Sequence, residues 1–295
     1  KDEEGSLPPF YKELTTILTE LHMSYELIFI DDGSVDKSLQ IIQNFQKKNR
    51  NIKIIKFRGN FGKSAALNAG FNKAQGNYIL TIDADMQDDP HEIGNMIKKL
   101  KHGFDMVCGW RKRRNDSISK KVSSFLFNRG TVFISGVRLH DFNGGLKAYK
   151  KDVVKELYLH GELHRFIPIL AAKQKFKVTE IPVNHRSRKY GKSKFGFERS
   201  WRGIIDLLTI VFITDYSSKP AHFYGKIGLI LSGLGSIICA YLAVIRILTG
   251  SIQARFPLLL LGILLIILGV QFLCTGLIAE LIVHFQMRQM HAKGE

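Results

Sequence analysis

Two uninterrupted apolar stretches, Ile227–Ile245 and Leu258–Ala279, constrain this chain more than any other feature. As helices rising ~1.5 Å per residue they span about 28 and 33 Å, close to the hydrocarbon thickness of a bilayer. Soluble helices seldom stay apolar around their whole circumference for so long, so both are predicted to cross a membrane. The eight-residue connector Thr249–Phe256 makes them an antiparallel hairpin whose outer flanks lie on one side. Those flanks carry Arg199, Arg202, Lys219, Lys226, Arg288 and Lys293, whereas the turn holds Arg255, with Arg246 at its edge. By the positive-inside rule, the expectation is a two-span membrane protein with its large N-terminal part and its C-terminus in the cytoplasm.

That N-terminal part is long enough for one large domain with a sizeable core. From Tyr25 it alternates strand and helix: strands over Glu26–Ile30, Ile52–Phe57, Tyr78–Ile82 and Met106–Cys108, and helices over Asp36–Asn49, Lys63–Ala74 and His91–Lys101. Strands separated by helices of this length predict an α/β fold with a mainly parallel sheet, whose ligands bind beyond the carboxyl ends of the strands. Such a sheet normally opens with a strand, yet a helix-like stretch, Pro8–His22, comes first; the expectation is that the first strand is missing. A segment rich in aromatic residues, Phe197–Phe223, has basic edges and contains Trp201, Phe212 and Tyr216; it is predicted to lie in the membrane interface. The expected organisation is a catalytic domain over 1–194, an interfacial segment over 195–224, two spans within 225–285 and a cytoplasmic tail over 286–295.

The formal charge of +17 implies an anionic partner. Two basic runs, 111–129 and 186–202, each hold seven Lys or Arg against one acid. Membrane-surface charge and phosphate binding both explain them; nucleic acid is not expected, because the hairpin already supplies an anionic surface. Three cysteines, two of them (Cys239 and Cys274) inside the apolar spans, exclude a disulfide framework and have no metal-ligand spacing. Cys108 is expected to pack at a strand end, and Glu280, near the cytoplasmic end of the second span, to serve helix contact.

Two acidic clusters follow strands. Asp83-Ala84-Asp85 places two carboxylates one residue apart, a costly arrangement in an interior unless a cation compensates it. A divalent ion held jointly by carboxylates and diphosphate oxygens resolves the problem; an ordinary acidic turn is the simpler alternative. Asp31-Asp32-Gly33-Ser34 is partly explained as a helix-capping turn, but adjacent carboxylates also suit a nucleobase N–H or a ribose hydroxyl. Gly62-Lys63-Ser64 fails as a P-loop, since Phe57 stands where the earlier glycine is required. Lys63 either approaches a phosphate or simply starts a helix. Asp141, before the bend Gly144-Gly145, and Glu162 are candidates for orienting a substrate.

In order along the chain, Asp31-Asp32-Gly33-Ser34, Asn60-Phe61-Gly62-Lys63 with Ala69-Gly70-Phe71, and Asp83-Ala84-Asp85-Met86-Gln87 are followed by Gly109-Trp110-Arg111, Ser124 with Asn128, Asp141 with Gly145-Leu146-Lys147, and Arg188–Lys194. Together they resemble the family 2 glycosyltransferases of the polyprenyl-phosphate (dolichol-phosphate mannosyltransferase-like) group. The resemblance implies a GT-A fold, a Mg²⁺ or Mn²⁺ ion, a UDP- or GDP-linked sugar donor, a polyprenyl phosphate acceptor, inversion at the anomeric carbon and assembly as a homo-oligomer such as a tetramer. It also implies that Asp31 and Asp32 hold base and ribose, that Asp83, Asp85 and Gln87 hold the metal, and that Lys63 serves the donor. Arg111, Lys121, Ser124, Arg188, Ser193 and Lys194 would gather the phosphates of donor or acceptor, with Asp85, Asp141 and Arg111 at the reacting centre. Two departures stand out: Asp2-Glu3 replaces the family's Asn-Glu, and lysines occupy 120 and 121 where arginine is usual, weakening bidentate phosphate recognition there. A processive polysaccharide synthase shares the fold but needs more spans to conduct a polymer. A non-catalytic membrane scaffold has no need of the paired carboxylates.

Overall fold

The computed structural model describes residues 1–112, 128–132, 135–159, 161–186, 219–252 and 255–292, with side chains in the last helix described to 285. The chain divides into two compact units, Lys1–Ile210 and Val211–Glu295.

In the first unit, α1 (Leu7–Glu20) turns Leu7, Phe10, Leu14 and Ile17 inward. Strand β1 (Leu27–Asp31) pairs in parallel with β2 (Ile52–Lys56), from Leu27 opposite Ile52 to Asp31 opposite Lys56, and α2 (Ser38–Lys48) connects them. Helix α3 (Lys63–Lys73) packs on β1, where Gly70 lets the helix approach the Ile30 side chain: a Cβ at this glycine would lie 2.8 Å from Ile30 Cδ1. Strand β3 (Tyr78–Thr81) leads through a short 3₁₀ turn to α4 (Ile93–Lys101) and β4 (Met106–Trp110). After it come β5 (Lys147–Lys150), α5 (Lys151–Glu156), α6 (Ile167–Lys173) and β6 (Val178–Pro182).

The second sheet has the order β3-β5-β4-β6, with β6 parallel to β4 and β5 inserted antiparallel to both its neighbours. The expected strands and helices up to β4 are all present. Strands β5 and β6 add to that expectation: β5 is a four-residue segment with lysine at each end, so its sequence carries no apolar run. Met96 and Leu100 of α4 meet Val107, Leu146, Ala148 and Ile181 in the core beneath this sheet. Phe10 and Leu14 of α1 join Ile93 and Ile97 in a second cluster. Cys108 is buried on β4, and burial pushes its thiol up to about 12, which removes it as a nucleophile.

The second unit is the apolar hairpin, α7 (Pro220–Thr249) and α8 (Phe256–Ala292), both long and apolar enough to cross a bilayer. Each helix extends beyond its apolar stretch, because backbone hydrogen bonding continues where the side chains turn polar. Glu280 of α8 accepts a hydrogen bond from the Ala221 backbone N–H at 3.1 Å, capping the first turn of α7. An anionic side chain there also complements the positive end of the helix dipole. Gly250, with φ of +73°, ends α7.

Glycines set the distance between these helices. A Cβ on Gly235 would stand 2.5 Å from the Gly262 carbonyl oxygen, and one on Gly228 2.7 Å from that of Gly269. Backbone approach of this kind is how apolar helices gain contact without a hydrophobic driving force between them. Gly235→Ala and Gly228→Ala are each expected to destabilise the hairpin by about 1–3 kcal/mol through overpacking, lowering the unfolding midpoint in detergent. Gly233, where a Cβ would meet nothing within 4 Å, is the control, and Gly233→Ala should leave the midpoint unchanged. Equal midpoints for all three variants would contradict the close packing.

Candidate active site

Strand β1 delivers Asp31 to the carboxyl edge of its sheet, where the chain turns sharply at Gly33. This glycine has φ of +67°, and a Cβ there would lie 2.5 Å from the Gly59 carbonyl carbon. Asp31 is buried; its Oδ1 accepts from the Ser34 N–H at 3.2 Å, while its Oδ2 is buried with no hydrogen-bond partner among the described residues. A buried carboxylate oxygen without a partner is costly, and a ligand N–H is the kind of group that satisfies it. Asp32 is differently employed. Its two oxygens accept from the Phe61 N–H at 2.7 Å and the Gly62 N–H at 3.1 Å, tying the β1 turn to the loop that opens α3. At the chain's start, Asp2 and Glu3 donate their N–H groups to Ser34 Oγ and Ser38 Oγ at 3.0 and 2.8 Å, bracing the same turn.

Beyond β3, Asp83 and Asp85 flank Ala84, and Met86 holds a left-handed backbone with φ of +61°. That conformation is uncommon for a side chain of this size and marks a tightly determined loop. Asp85 is buried and accepts from the Gln87 N–H at 3.1 Å. Both oxygens of Asp83 lie 2.8 Å from Lys63 Nζ. Loss of solvent opposes ionisation of Asp83, but Lys63, Lys147 and His164 outweigh it and hold the carboxyl below its usual range.

A third carboxylate, Asp88, approaches Asp83. Asp88 is buried, and a Cβ at Gly145 would overlap Asp88 Oδ2 and stand 2.7 Å from Asp83 Oδ2. The absence of a side chain at 145 is therefore what allows these two acids to converge. Burial and the charge of Asp83 push Asp88 up to about 6, with Arg111 pulling the other way and Asp85 adding to the rise. Lys147, on β5 beside this glycine, is buried and donates to the Gly144 carbonyl. Burial, with Lys63 nearby, draws its ammonium below the usual range against the pull of Asp141 and Asp83. Sequence reasoning did not single out Asp88 or Lys147 as site residues; the second acidic pair, Asp88-Asp89, was the available signal.

Arg111 and Asp141, expected at the reacting centre, are brought together. Arg111 Nε and Nη2 donate to Asp141 Oδ2 and Oδ1 at 2.7 and 3.0 Å, and Asp141 Oδ1 also accepts from the Asn143 N–H at 3.1 Å. This fork fixes the guanidinium at the end of β4. His140 stacks on Trp110 at 4.2 Å and pairs with Glu180 of β6. Lys121, Ser124, Arg188, Ser193 and Lys194 lie outside the described residues.

A second acidic group, Glu13 with Asp89 and His91, has ligand atoms within 4.8 Å of one another. Arg186 already compensates it, donating to both oxygens of Glu13 at 2.9 and 2.7 Å and to Asp89 Oδ1 at 2.8 Å. Asp83, Asp85 and Asp88, in the loop after β3, offer oxygen ligands only, the kind that Mg²⁺ and Mn²⁺ favour.

The Arg111–Asp141 pair generates a test. Removing one partner of a buried pair strands the other charge, at about 3–5 kcal/mol. Asp141→Ala is expected to lower the stability of the first unit by that amount, and the Arg111→Ala, Asp141→Ala double variant by clearly less than the sum of the two single losses. Strictly additive losses in denaturant unfolding would show that the two side chains do not act as a unit.

Residues 3–158 match the profile of Glycosyl transferase family 2. Over 286 residues the chain is 35% identical to the dodecaprenyl-phosphate galacturonate synthase of Rhizobium johnstonii, spanning 95% of this chain and 85% of that protein. It is 34% identical over 283 residues to the undecaprenyl-phosphate 4-deoxy-4-formamido-L-arabinose transferase of Photorhabdus laumondii, spanning 95% and 86%. Among solved structures, glucosyl-3-phosphoglycerate synthase from Mycobacterium tuberculosis, in complex with Mn²⁺, UDP and phosphoglyceric acid, superposes with a TM-score of 0.54 at 16% identity, covering 74% of this chain and 78% of that one. Mannosyl-3-phosphoglycerate synthase from Rubrobacter xylanophilus gives 0.54 at 12% identity, covering 70% and 69%. Those two similarities bear out the expected GT-A fold. The profile match and the two sequence relatives carry the wider conclusion: the chain is a member of the family 2 glycosyltransferases.

Proposed function

We propose that this chain transfers a sugar from a nucleoside-diphosphate donor, uridine- or guanosine-linked, to a polyprenyl phosphate at the cytoplasmic face of a membrane. The observation that carries the reading is the convergence of Asp83 and Asp88 on Gly145, with Asp85 in the same loop and Arg111 and Lys147 beside them. Three acids flanked by cations suit a divalent ion with a diphosphate, and the two sequence relatives bear the names of polyprenyl-phosphate sugar transferases. The basic flanks of the hairpin support the assigned sidedness. Self-association into a homo-oligomer, as the family resemblance implies, belongs to the same proposal.

In this reading Asp83, Asp85 and Asp88, with Gln87 at hand, would hold Mg²⁺ or Mn²⁺, which would supply charge compensation for the donor diphosphate. Asp31 Oδ2 takes an N–H of the base, and Asp32 keeps the adjoining loop in place for the ribose. Arg111, fixed by Asp141, presents a guanidinium to phosphate in a set orientation, so no reorganisation is needed as charge develops. Lys121, Ser124, Arg188, Ser193 and Lys194 supply further phosphate contacts. The acceptor phosphate has its second pKa near 6 and at neutral pH is mostly a dianion. One of its oxygens attacks the anomeric carbon from the face opposite the diphosphate; the new C–O bond forms, the bond to the diphosphate breaks and the configuration inverts. A strong general base is unnecessary, in keeping with an Asp141 whose oxygens are engaged by Arg111.

The test is conversion of undecaprenyl phosphate to a glycolipid in nanodiscs, screened over UDP- and GDP-sugars. Asp85→Asn and Gly145→Ala are expected to lower turnover by at least about 100-fold, the scale of losing one preorganised electrostatic contribution, with the fold retained; excess EDTA should stop the wild type. Full turnover in EDTA or by Asp85→Asn would overturn the metal assignment. A second expected outcome concerns the acceptor: Arg111→Lys should raise KM for lipid phosphate more than KM for the nucleotide sugar, because lysine cannot reproduce the fork. A rise confined to the donor would place Arg111 on the diphosphate instead.

A further inference from the structure

Lys63 occupies the edge of the Asp83 carboxylate that the proposed cation site would use. Its Nζ stands 2.8 Å from each oxygen of Asp83, so the lone pairs on that edge of the carboxylate are already committed. The two side chains are 41% and 44% exposed, and ion pairs this open to solvent are weakly held. Lys63 is also the first residue of α3, following Gly62 with φ of +87°. A long, rotatable stem at a helix start lets the ammonium move several ångströms without disturbing the helix.

From these contacts we propose that Lys63 is a placeholder cation: it sits on Asp83 while the site is empty and moves to the donor's diphosphate when metal and nucleotide arrive together. The proposal rests on the reading of Asp83 and Asp85 as the cation site. Without Lys63, the convergence of Asp83 and Asp88 at Gly145 would be less compensated in the empty protein. With it, a metal ion entering alone must displace the ammonium from Asp83 and compete with it for Asp88, so that Lys63 needs another anion. A nucleoside diphosphate supplies that anion, so each ligand strengthens the binding of the other by the same factor. Lys63 is thus a positioning residue that suppresses loading of the metal without its donor.

The experiment measures Mn²⁺ affinity of the full chain in detergent by the EPR signal of free Mn²⁺, without nucleotide and with UDP or GDP. In the wild type the affinity is expected to be weak alone and to rise at least about tenfold with the diphosphate that binds, within the usual range of coupling between sites. Lys63→Met and Lys63→Gln should bind Mn²⁺ alone several-fold more tightly than the wild type, and the gain from nucleotide should shrink to below about threefold. If both variants keep wild-type affinity and coupling, or bind Mn²⁺ alone more weakly, the placeholder role is wrong while the cation site stands. Asp85→Asn separates the two ideas: it should lose Mn²⁺ binding under every condition, and wild-type binding by this variant would overturn the site itself.

Discussion

Like charges gathered at strand ends repel, and the arrangement around Asp83 is built on compensating that repulsion. Lys63 pairs with Asp83 at the solvent-facing edge, while Arg111 and Lys147 lie close enough to act on the acids electrostatically. Gly145 supplies the space in which Asp83 and Asp88 approach one another. The architecture follows from this need. Strand β5 runs antiparallel between β3 and β4, which places Gly145 and Lys147 against the end of β3, where the acids emerge. A purely parallel sheet would send the chain away from that edge by a crossover.

The hairpin answers a different constraint. Its helices have apolar surfaces on almost every side, and they approach through glycines at 228, 235, 262 and 269. Glu280, the one acidic residue of the two helices, has a defined partner, the first turn of α7. Under the proposed function, with a lipid phosphate as acceptor, the hairpin's part is to anchor the chain in the membrane that holds the acceptor, and no relay between spans and chemistry is required.

Much of this was legible in the sequence, for physical reasons that also set the limit. Asp31 and Asp83 are recognisable because each follows a short apolar run, and strand ends are where ligands meet an α/β sheet. The ordered motifs made the family recognisable as well. Asp88 was obscured because its burial depends on contacts with distant segments: it pairs with His185 in an isolated bridge and faces Gly145. Strand β5 was hidden because Lys147 is buried, against the ordinary tendency of lysine, by a bond to the Gly144 carbonyl. Arg111 and Asp141 were each singled out, but nothing in a spacing of thirty residues reveals that they bind each other. Asp32, expected with Asp31 at base and ribose, also accepts from backbone N–H groups of the next loop, a contact that no local spacing announces.

The central claim is that Asp83, Asp85 and Asp88 form one cation site shared with a nucleoside diphosphate. Pulsed ³¹P ENDOR on Mn²⁺ retained by the full chain, after unbound metal and nucleotide are removed, tests it most directly. The expected result is phosphorus coupling on protein-bound Mn²⁺ in the wild type, and loss of the bound signal in Asp85→Asn. Retained Mn²⁺ that shows no phosphorus coupling, or an undiminished coupled signal in Asp85→Asn, would contradict it.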